Sequence, residues 1–144
     1  MPATTPLRHL ATSLFLIPLA CSPVWAADVT VELLGIQSAQ GNVRAALYGS
    51  ADTWMKEPQM LSGQSAPAAA PKSVLVFKNV TPGRYALSVF HDQNANDKLD
   101  TNVVGLPTEA YGTSRDARGR MGPPAWDDAV VDVQGDTTLV IHLE

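Results

Sequence analysis

The sequence predicts an all-β fold, an antiparallel two-sheet sandwich of about seven short strands with one long ordered loop. Apolar residues alternate with polar ones over short stretches, and Gly- or Pro-containing turn signals separate those stretches along the chain. Helical periodicity is almost absent. Alternation of this kind gives each strand one buried face, as two packed sheets require.

The first strands are predicted at residues 28–36 and 42–50, where every second residue is apolar and faces the core. Residues 37–41 between them are polar and end in glycine, so this connection is short enough for a hairpin. Residues 62–71 are rich in Ala, Pro, Ser and Gly, and we expect them to form a mobile loop.

The middle of the chain predicts two further strands. Residues 74–77 are apolar on both faces, which is typical of a central strand covered above and below. A Thr-Pro-Gly turn at residues 81–83 leads into a strand over residues 84–91. The two-residue period of a strand puts His91 on its inward face and points Asp92 to the opposite side.

The last third of the chain predicts a long loop and a closing hairpin. Residues 104–126 contain four glycines and three prolines, and no period survives there. A loop this long is usually functional or disordered, and its apolar anchors favour an ordered loop packed over the turn that follows His91. Residues 129–133 and 139–143 alternate again, and we expect them to pair as the hairpin.

The N-terminal 26 residues have the pattern of an export signal. Residues 10–20 form an apolar run that is too short to span a bilayer, which takes about 20 residues. We expect cleavage after Ala26, leaving residues 27–144 as a single periplasmic or secreted domain without a transmembrane segment. Residues 19–21 resemble the end of a lipobox, so lipidation at Cys21 is an alternative.

The composition of the processed chain narrows its possible partners. Removing residues 1–26 takes away one basic residue, Arg8, and no acidic one, so the formal net charge changes from −4 to −5. This acidic balance argues against binding to nucleic acid or to an anionic membrane surface. No cysteine remains, so stability comes from packing and from any bound metal. A monomer is expected.

The residues that follow His91 have the spacing of a cation-binding loop. Calcium takes about six to eight oxygen ligands, and the twelve-residue calcium loop supplies them from positions 1, 3, 5, 7, 9 and 12. Counted from Asp92, the first five of these positions all offer a side-chain or backbone oxygen: Asp92, Asn94, Asn96, Lys98 and Asp100. Lys98 would offer its backbone carbonyl.

Two positions depart from that loop. Position 6, usually glycine, is Asp97, which is acceptable because Asp adopts left-handed backbone geometry more readily than most residues. Position 12, usually a bidentate Glu, is Val103, so the missing ligand is expected from Glu109, the nearest downstream carboxylate. With few anionic ligands, we expect weak calcium binding, with a dissociation constant of about 10⁻⁴ to 10⁻³ M. The alternative is a metal-free turn whose Asp and Asn side chains bond their own backbone.

Several motifs together resemble a family of exported bacterial proteins, domain of unknown function 2141. They are the run at residues 91–100, the segments at 105–112 and 122–124, Asp-Ala at 128–129, and the turn and strand at 82–87. The resemblance covers nearly all of the processed chain. It implies a small secreted domain of transthyretin-like or carboxypeptidase-regulatory-like sandwich fold, and it implies no particular activity.

The simplest hypothesis for these residues is a non-catalytic exported module that is ordered by calcium. It would bind an envelope protein or a carbohydrate. One alternative is a small envelope hydrolase that uses His91. In that case Asp92 points away from the imidazole, so another acid such as Asp128 would have to orient it. Another alternative is a copper carrier that combines His91 with Met55, Met60 or Met121, although methionine also fills gaps in cores.

A carbohydrate-binding module is a further alternative, because aromatic rings stack on sugars and arginines bind acidic groups. The residues that would serve are Trp54, Tyr111, Arg115, Arg118, Arg120 and Trp126. The structural explanation for the same residues is that the aromatics are buried or anchor the long loop, and that the arginines lie on a solvated face.

Overall fold

A computed structural model describes residues 25–144 of the chain. Except for its last two residues, the predicted export signal lies outside the described residues, and so does the lipidation alternative at Cys21. In the described part, no helix is both long and apolar enough to cross a membrane.

The described part of the chain is all-β, as predicted, with eight strands where about seven were expected. The strands are β1 Ala27–Leu34, β2 Asn42–Tyr48, β3 Ser62–Pro67, β4 Lys72–Val80, β5 Gly83–Asp92, β6 Tyr111–Thr113, β7 Val131–Val133 and β8 Thr137–His142. Within residues 25–144, the helical content is two single-turn 3-10 helices, Glu57–Gln59 and Ser114–Asp116, and one short α-helix, α1 Trp126–Ala129.

The first sheet has three strands in the order β4, β1, β8. β1 runs antiparallel to β4, with Val31 opposite Leu75, and parallel to β8, with Val31 opposite Leu139. The expectation of purely antiparallel sheets was therefore wrong for this pair. The predicted closing hairpin was also wrong, because β7 pairs with β5 in the other sheet while β8 pairs with β1.

The second sheet has the order β3, β2, β5, β6, and β7 pairs with the opposite end of β5. The predicted hairpin across residues 37–41 does not form, because β1 and β2 belong to different sheets and this connection crosses between them. The predicted mobile loop at residues 62–71 was wrong as well. Its first six residues form β3, which pairs along the whole of residues 42–47 through backbone hydrogen bonds that require no particular side chains.

The predicted central strand at residues 74–77 is instead part of an edge strand. β4 lies at one side of its sheet, and Val74 is exposed while Leu75 and Phe77 are buried. Residues 74–77 are apolar on both faces of the strand, but only one of these faces is buried. Likewise, residues 104–126 are less irregular than expected, because β6, the second 3-10 helix and the start of α1 lie within them.

One core joins the inward faces of the two sheets. Its buried members from the first sheet include Val29, Val31, Leu33, Phe77 and Ile141, and those from the second include Val43, Leu47, Leu87, Val89 and Val133. A smaller cluster on the other side of the second sheet contains Tyr48, Trp54, Ala86 and Ala129. β5 of the second sheet ends at the candidate site, so the sheet fixes where the site begins.

Candidate functional site

The candidate site is the acidic loop, residues 92–109, which leaves the end of β5. Its first residue, Asp92, is fully buried and lies opposite Asn42 of β2. His91 just before it is also fully buried, and its backbone N–H donates to the carbonyl of Ala110 at 2.8 Å. The two ends of the loop are therefore joined by backbone bonding.

The Asp92 carboxylate organises the first turn of the loop. Its Oδ1 accepts the backbone N–H of Asn96 at 3.0 Å, and its Oδ2 accepts the backbone N–H of Asp97 at 2.9 Å. To reach it, the chain bends through left-handed geometry at Ala95 (φ 55°) and Asp97 (φ 67°). Asp97 thus adopts at position 6 the conformation for which a calcium loop normally uses glycine.

Asp100 is linked to the two asparagines of the loop. Its Oδ2 accepts the side-chain N–H of Asn94 at 2.6 Å, and its Oδ1 accepts that of Asn96 at 2.9 Å. The amide oxygens of Asn94 and Asn96 accept the backbone N–H groups of Asn96 and Lys98, at 3.1 and 2.9 Å. These are the self-capping contacts of the metal-free alternative.

Glu109 closes the loop from its far end. Its Oε1 accepts the backbone N–H of Gln93 at 2.9 Å, and its Oε2 accepts that of Asp100 at 3.0 Å. The side chain is buried. Glu109 therefore contacts the turn that lacks the usual Glu at position 12 of the calcium loop.

The connection from β1 to β2 packs directly under the start of the loop. Gly41 has φ 71°, and a Cβ there would overlap the carbonyl oxygens of Asp92 and Gln93, so only glycine fits. The Nε2–H of His91 donates to the carbonyl of Gln40 at 2.7 Å. The Nδ1 of His91 has no hydrogen-bond partner within the described residues.

Arg44 of β2 brings a positive charge to the start of the loop. Its guanidinium forms an ion pair with Asp97 and lies 4.0 Å from Oδ2 of Asp92. Within residues 25–144, no three His, Cys, Asp or Glu side chains lie close enough together to hold a metal ion as they stand. A cation here would need amide and carbonyl oxygens as well as carboxylates.

The other predicted ligands are dispersed. His91 is in the core, out of reach of a substrate or ligand in solution. Met55 packs against the Tyr48 and Trp54 cluster, and Met60 and Met121 are exposed. The combination proposed for copper is therefore spread over the core, a side cluster and the surface.

The aromatic residues of the carbohydrate alternative mostly serve packing. Trp54 is buried, and its Nε1–H donates to the carbonyl of Pro124 at 2.8 Å. Trp126 is half-buried, with its ring centroid 6.1 Å from that of Trp54 in an edge-on arrangement. Tyr111 is at the surface on β6.

The predicted arginines lie on the surface of the arginine segment, residues 114–126, and have separate partners. Arg115 donates to the carbonyl of Asp127 at 3.3 Å, and Arg118 forms an ion pair with Glu144 at 2.7 Å. Arg120 is exposed. These separate contacts do not gather the three guanidinium groups around one common ligand position.

Sequence reasoning missed a pair formed by Asp116 and His142. Asp116 accepts the backbone N–H of His142 at 2.9 Å through Oδ1 and its ring Nδ1–H at 2.8 Å through Oδ2. Partial burial raises the pKa of Asp116, but these two hydrogen bonds and the charges of His142 and Arg118 outweigh it and lower the pKa below its usual value. Because 26 residues separate the pair, no local pattern could have revealed it.

The comparisons with known proteins gave one match. The family model described as "Uncharacterized protein conserved in bacteria (DUF2141)" matches residues 31–141. That range includes the whole acidic loop and the arginine segment. Comparison with curated proteins and with solved structures gave no match.

Proposed function

The chain belongs to the DUF2141 family, and from that premise we propose that it is an exported, non-catalytic β-sandwich module of the cell envelope whose acidic loop binds one calcium ion. β1 begins at Ala27, directly after the predicted cleavage position. Loss of residues 1–26 would therefore leave all eight strands intact, which supports export.

The observation that carries the proposal is the way Asp92 and Glu109 hold the loop from inside. Both side chains are buried, and together they accept four backbone N–H groups of the loop. Each carboxylate oxygen has about two acceptor positions, so one N–H bond per oxygen leaves capacity for a cation. Asp92 and Glu109 are thus two buried acids that a nearby positive ion would stabilise.

Asp100, Asn94 and Asn96 would complete the coordination. Their present contacts join a carboxylate to two amide N–H groups, which satisfies the acid without a cation. Calcium would take the place of those N–H donors, with the amides turning oxygen toward the ion. Lys98 would add its backbone carbonyl, as position 7 does in the twelve-residue loop.

The chemistry of these ligands favours calcium over other metals. All the candidate ligands are oxygens, whereas copper and zinc favour imidazole and sulfur. Magnesium demands a nearly ideal octahedron and gives up its water reluctantly, and an irregular loop suits the variable geometry of calcium better. The burial of His91 supports a binding role over a hydrolytic one.

A calcium titration of the purified protein tests the proposal. For a dissociation constant of about 10⁻⁴ to 10⁻³ M, calcium at about 10 mM should raise the free energy of unfolding by about 1.4 to 2.7 kcal/mol. Thermal melting measures this effect. Lys98 is the only lysine or arginine in residues 92–109, so trypsin cleavage there reports on the loop, and calcium should slow it.

Asp100→Asn should remove most of the calcium response, because it deletes a charged ligand. Asp127→Asn is the matched control, since Asp127 is a highly exposed acid outside the loop, and it should respond to calcium as the unaltered protein does. Melting and Lys98 cleavage that are both insensitive to calcium in the unaltered protein would refute the proposal.

A further inference from the structure

The acidic loop carries an exposed apolar turn at its outer end. Residues 101–107 form this turn, closed at its base by the bridge between Thr101 and Pro107. Its outer residues form what we call the apolar tip, Val103, Val104 and Leu106, which are 104, 74 and 60% exposed. Aliphatic side chains that are so fully exposed on a single turn gain nothing from the fold itself.

The backbone of this turn is closed on itself. The Asn102 side-chain oxygen accepts the N–H groups of Val104 and Leu106, both at 3.0 Å. The N–H of Asn102 donates to the carbonyl of Leu106 at 2.8 Å, and that of Gly105 donates to the carbonyl of Asn102 at 2.9 Å.

The Thr108 N–H donates to the carbonyl of Asp100 at 2.8 Å, which fixes the turn to the acidic loop. Pro107 has no N–H, so residues 102–108 contain six backbone N–H groups, and five of them bond to partners within residues 25–144. The exception is Val103. A backbone that satisfies most of its own donors can enter apolar surroundings with a smaller loss of hydrogen bonding than an open loop. The turn is therefore built as a preformed apolar projection.

The small size of the projection favours a lipid surface over a protein partner, whereas its charge requires a counter-ion. A stable protein interface buries about 800 Å² on each partner, far more than three aliphatic side chains provide. Reversible binding to a lipid interface needs only a small apolar insertion together with electrostatic attraction to the headgroups. A net charge of −5 after processing opposes anionic headgroups, and so do the acids at the base of the tip.

We propose that the apolar tip inserts into an anionic phospholipid surface when calcium occupies the acidic loop beneath it. The ion would cancel the negative charge at the base of the tip and would attract the lipid phosphates. This inference rests on the proposed calcium function, because without the ion the acidic loop repels the surface.

Vesicle co-sedimentation tests the inference. The full chain is expressed with its leader and purified after export, and its mass is measured to verify that residues 1–26 are gone. The probes are vesicles of phosphatidylcholine with and without phosphatidylglycerol, in calcium or in EDTA. Binding is expected only with phosphatidylglycerol and calcium together.

The double variant Val103→Ser, Val104→Ser should weaken this binding by about tenfold or more, because two inserted apolar side chains are lost. Its calcium-induced rise in melting temperature should be unchanged. Met121→Ser is the matched control, because Met121 is 102% exposed but lies outside the loop, and it should bind vesicles normally.

The outcomes separate the two proposals. A calcium-dependent rise in melting temperature without vesicle binding overturns the lipid inference and leaves the calcium function standing. Equal binding in EDTA, equal binding to pure phosphatidylcholine, or normal binding by the double variant also overturns it. No calcium effect on melting and no vesicle binding would overturn both.

Discussion

The acidic loop and the arginine segment are both long, irregular stretches at the surface of the same sheet, but they are held in different ways. The acidic loop is wrapped around two buried carboxylates, Asp92 and Glu109, and buries no large apolar side chain of its own. The arginine segment is held by packing of Trp126 against Trp54 and by Ser114, whose buried hydroxyl donates to Ala129 and accepts the N–H of Leu87.

This difference indicates which segment a cation can control. Hydrogen bonds to buried carboxylates depend on charge, so a positive ion in the acidic loop changes the energy of the whole network. Packing of aromatic rings depends on area and shape and hardly on charge. The arginine segment is expected to stay the same whether or not calcium is present.

The largest effect should come from Asp92→Ala. This variant leaves the N–H groups of Asn96 and Asp97 without their charged acceptor, and each such bond contributes about 1.5 to 3 kcal/mol. Because water can reach part of the opened loop, we expect a loss of about 3 kcal/mol in the free energy of unfolding. Urea denaturation measures it.

In that variant, trypsin should cleave after Lys98 much faster, while cleavage after Arg115, Arg118 and Arg120 changes little. Asp127→Ala is the control, and a surface change of this kind should stay within about 0.5 kcal/mol. An equal loss in both variants would mean that the buried carboxylate does not organise the loop.

Trp126→Ala should have a moderate effect, in the opposite segment. Full truncation of a core tryptophan costs about 3 to 5 kcal/mol, and because Trp126 is half-buried we expect about 2 kcal/mol. Trypsin cleavage should now rise at the three arginines, with Lys98 unaffected. The calcium-induced rise in melting temperature should remain, and its loss would show that the two segments are coupled.

The smallest effect should come from Asp116→Asn. The lowered pKa of Asp116 means that its carboxylate stabilises the folded protein above the usual value of 3.8 and that this contribution disappears as pH falls through the lower, folded value. The pair is largely exposed, so its loss at neutral pH should cost less than about 1 kcal/mol.

Melting curves measured from neutral to acidic pH check this. The unaltered protein should be slightly more stable than the variant at neutral pH, and the difference should shrink toward zero below pH 3.8. A difference that grows on acidification would contradict the assigned sign.

The strands could be predicted from the sequence where apolar and polar side chains alternate according to burial. β1, β2 and β5 alternate apolar and polar residues, and the predicted positions match the observed ones closely. β3 was missed because it is an edge strand of small and polar residues held by backbone pairing. Such a strand leaves little trace in a hydrophobic pattern.

Strand partners were predicted poorly for a different reason. The connections at residues 37–41 and 134–136 look like hairpin turns, yet each joins strands of different sheets. Pairing depends on contacts between distant parts of the chain, which turn chemistry alone does not determine. The contact between Asp116 and His142 also joins distant parts of the chain, so the sequence did not predict it. The spacing of oxygen side chains in the acidic loop is local and could be predicted.

Diffraction from crystals grown in calcium is the most direct measurement of the central claim. We predict one ion with oxygens of Asp92, Asn94, Asn96, Lys98, Asp100 and Glu109 at about 2.3 to 2.6 Å, and with both asparagine amides turned toward it. Retention in saturating calcium of the Asn94 and Asn96 N–H contacts to Asp100, with no ion between these side chains, would contradict it.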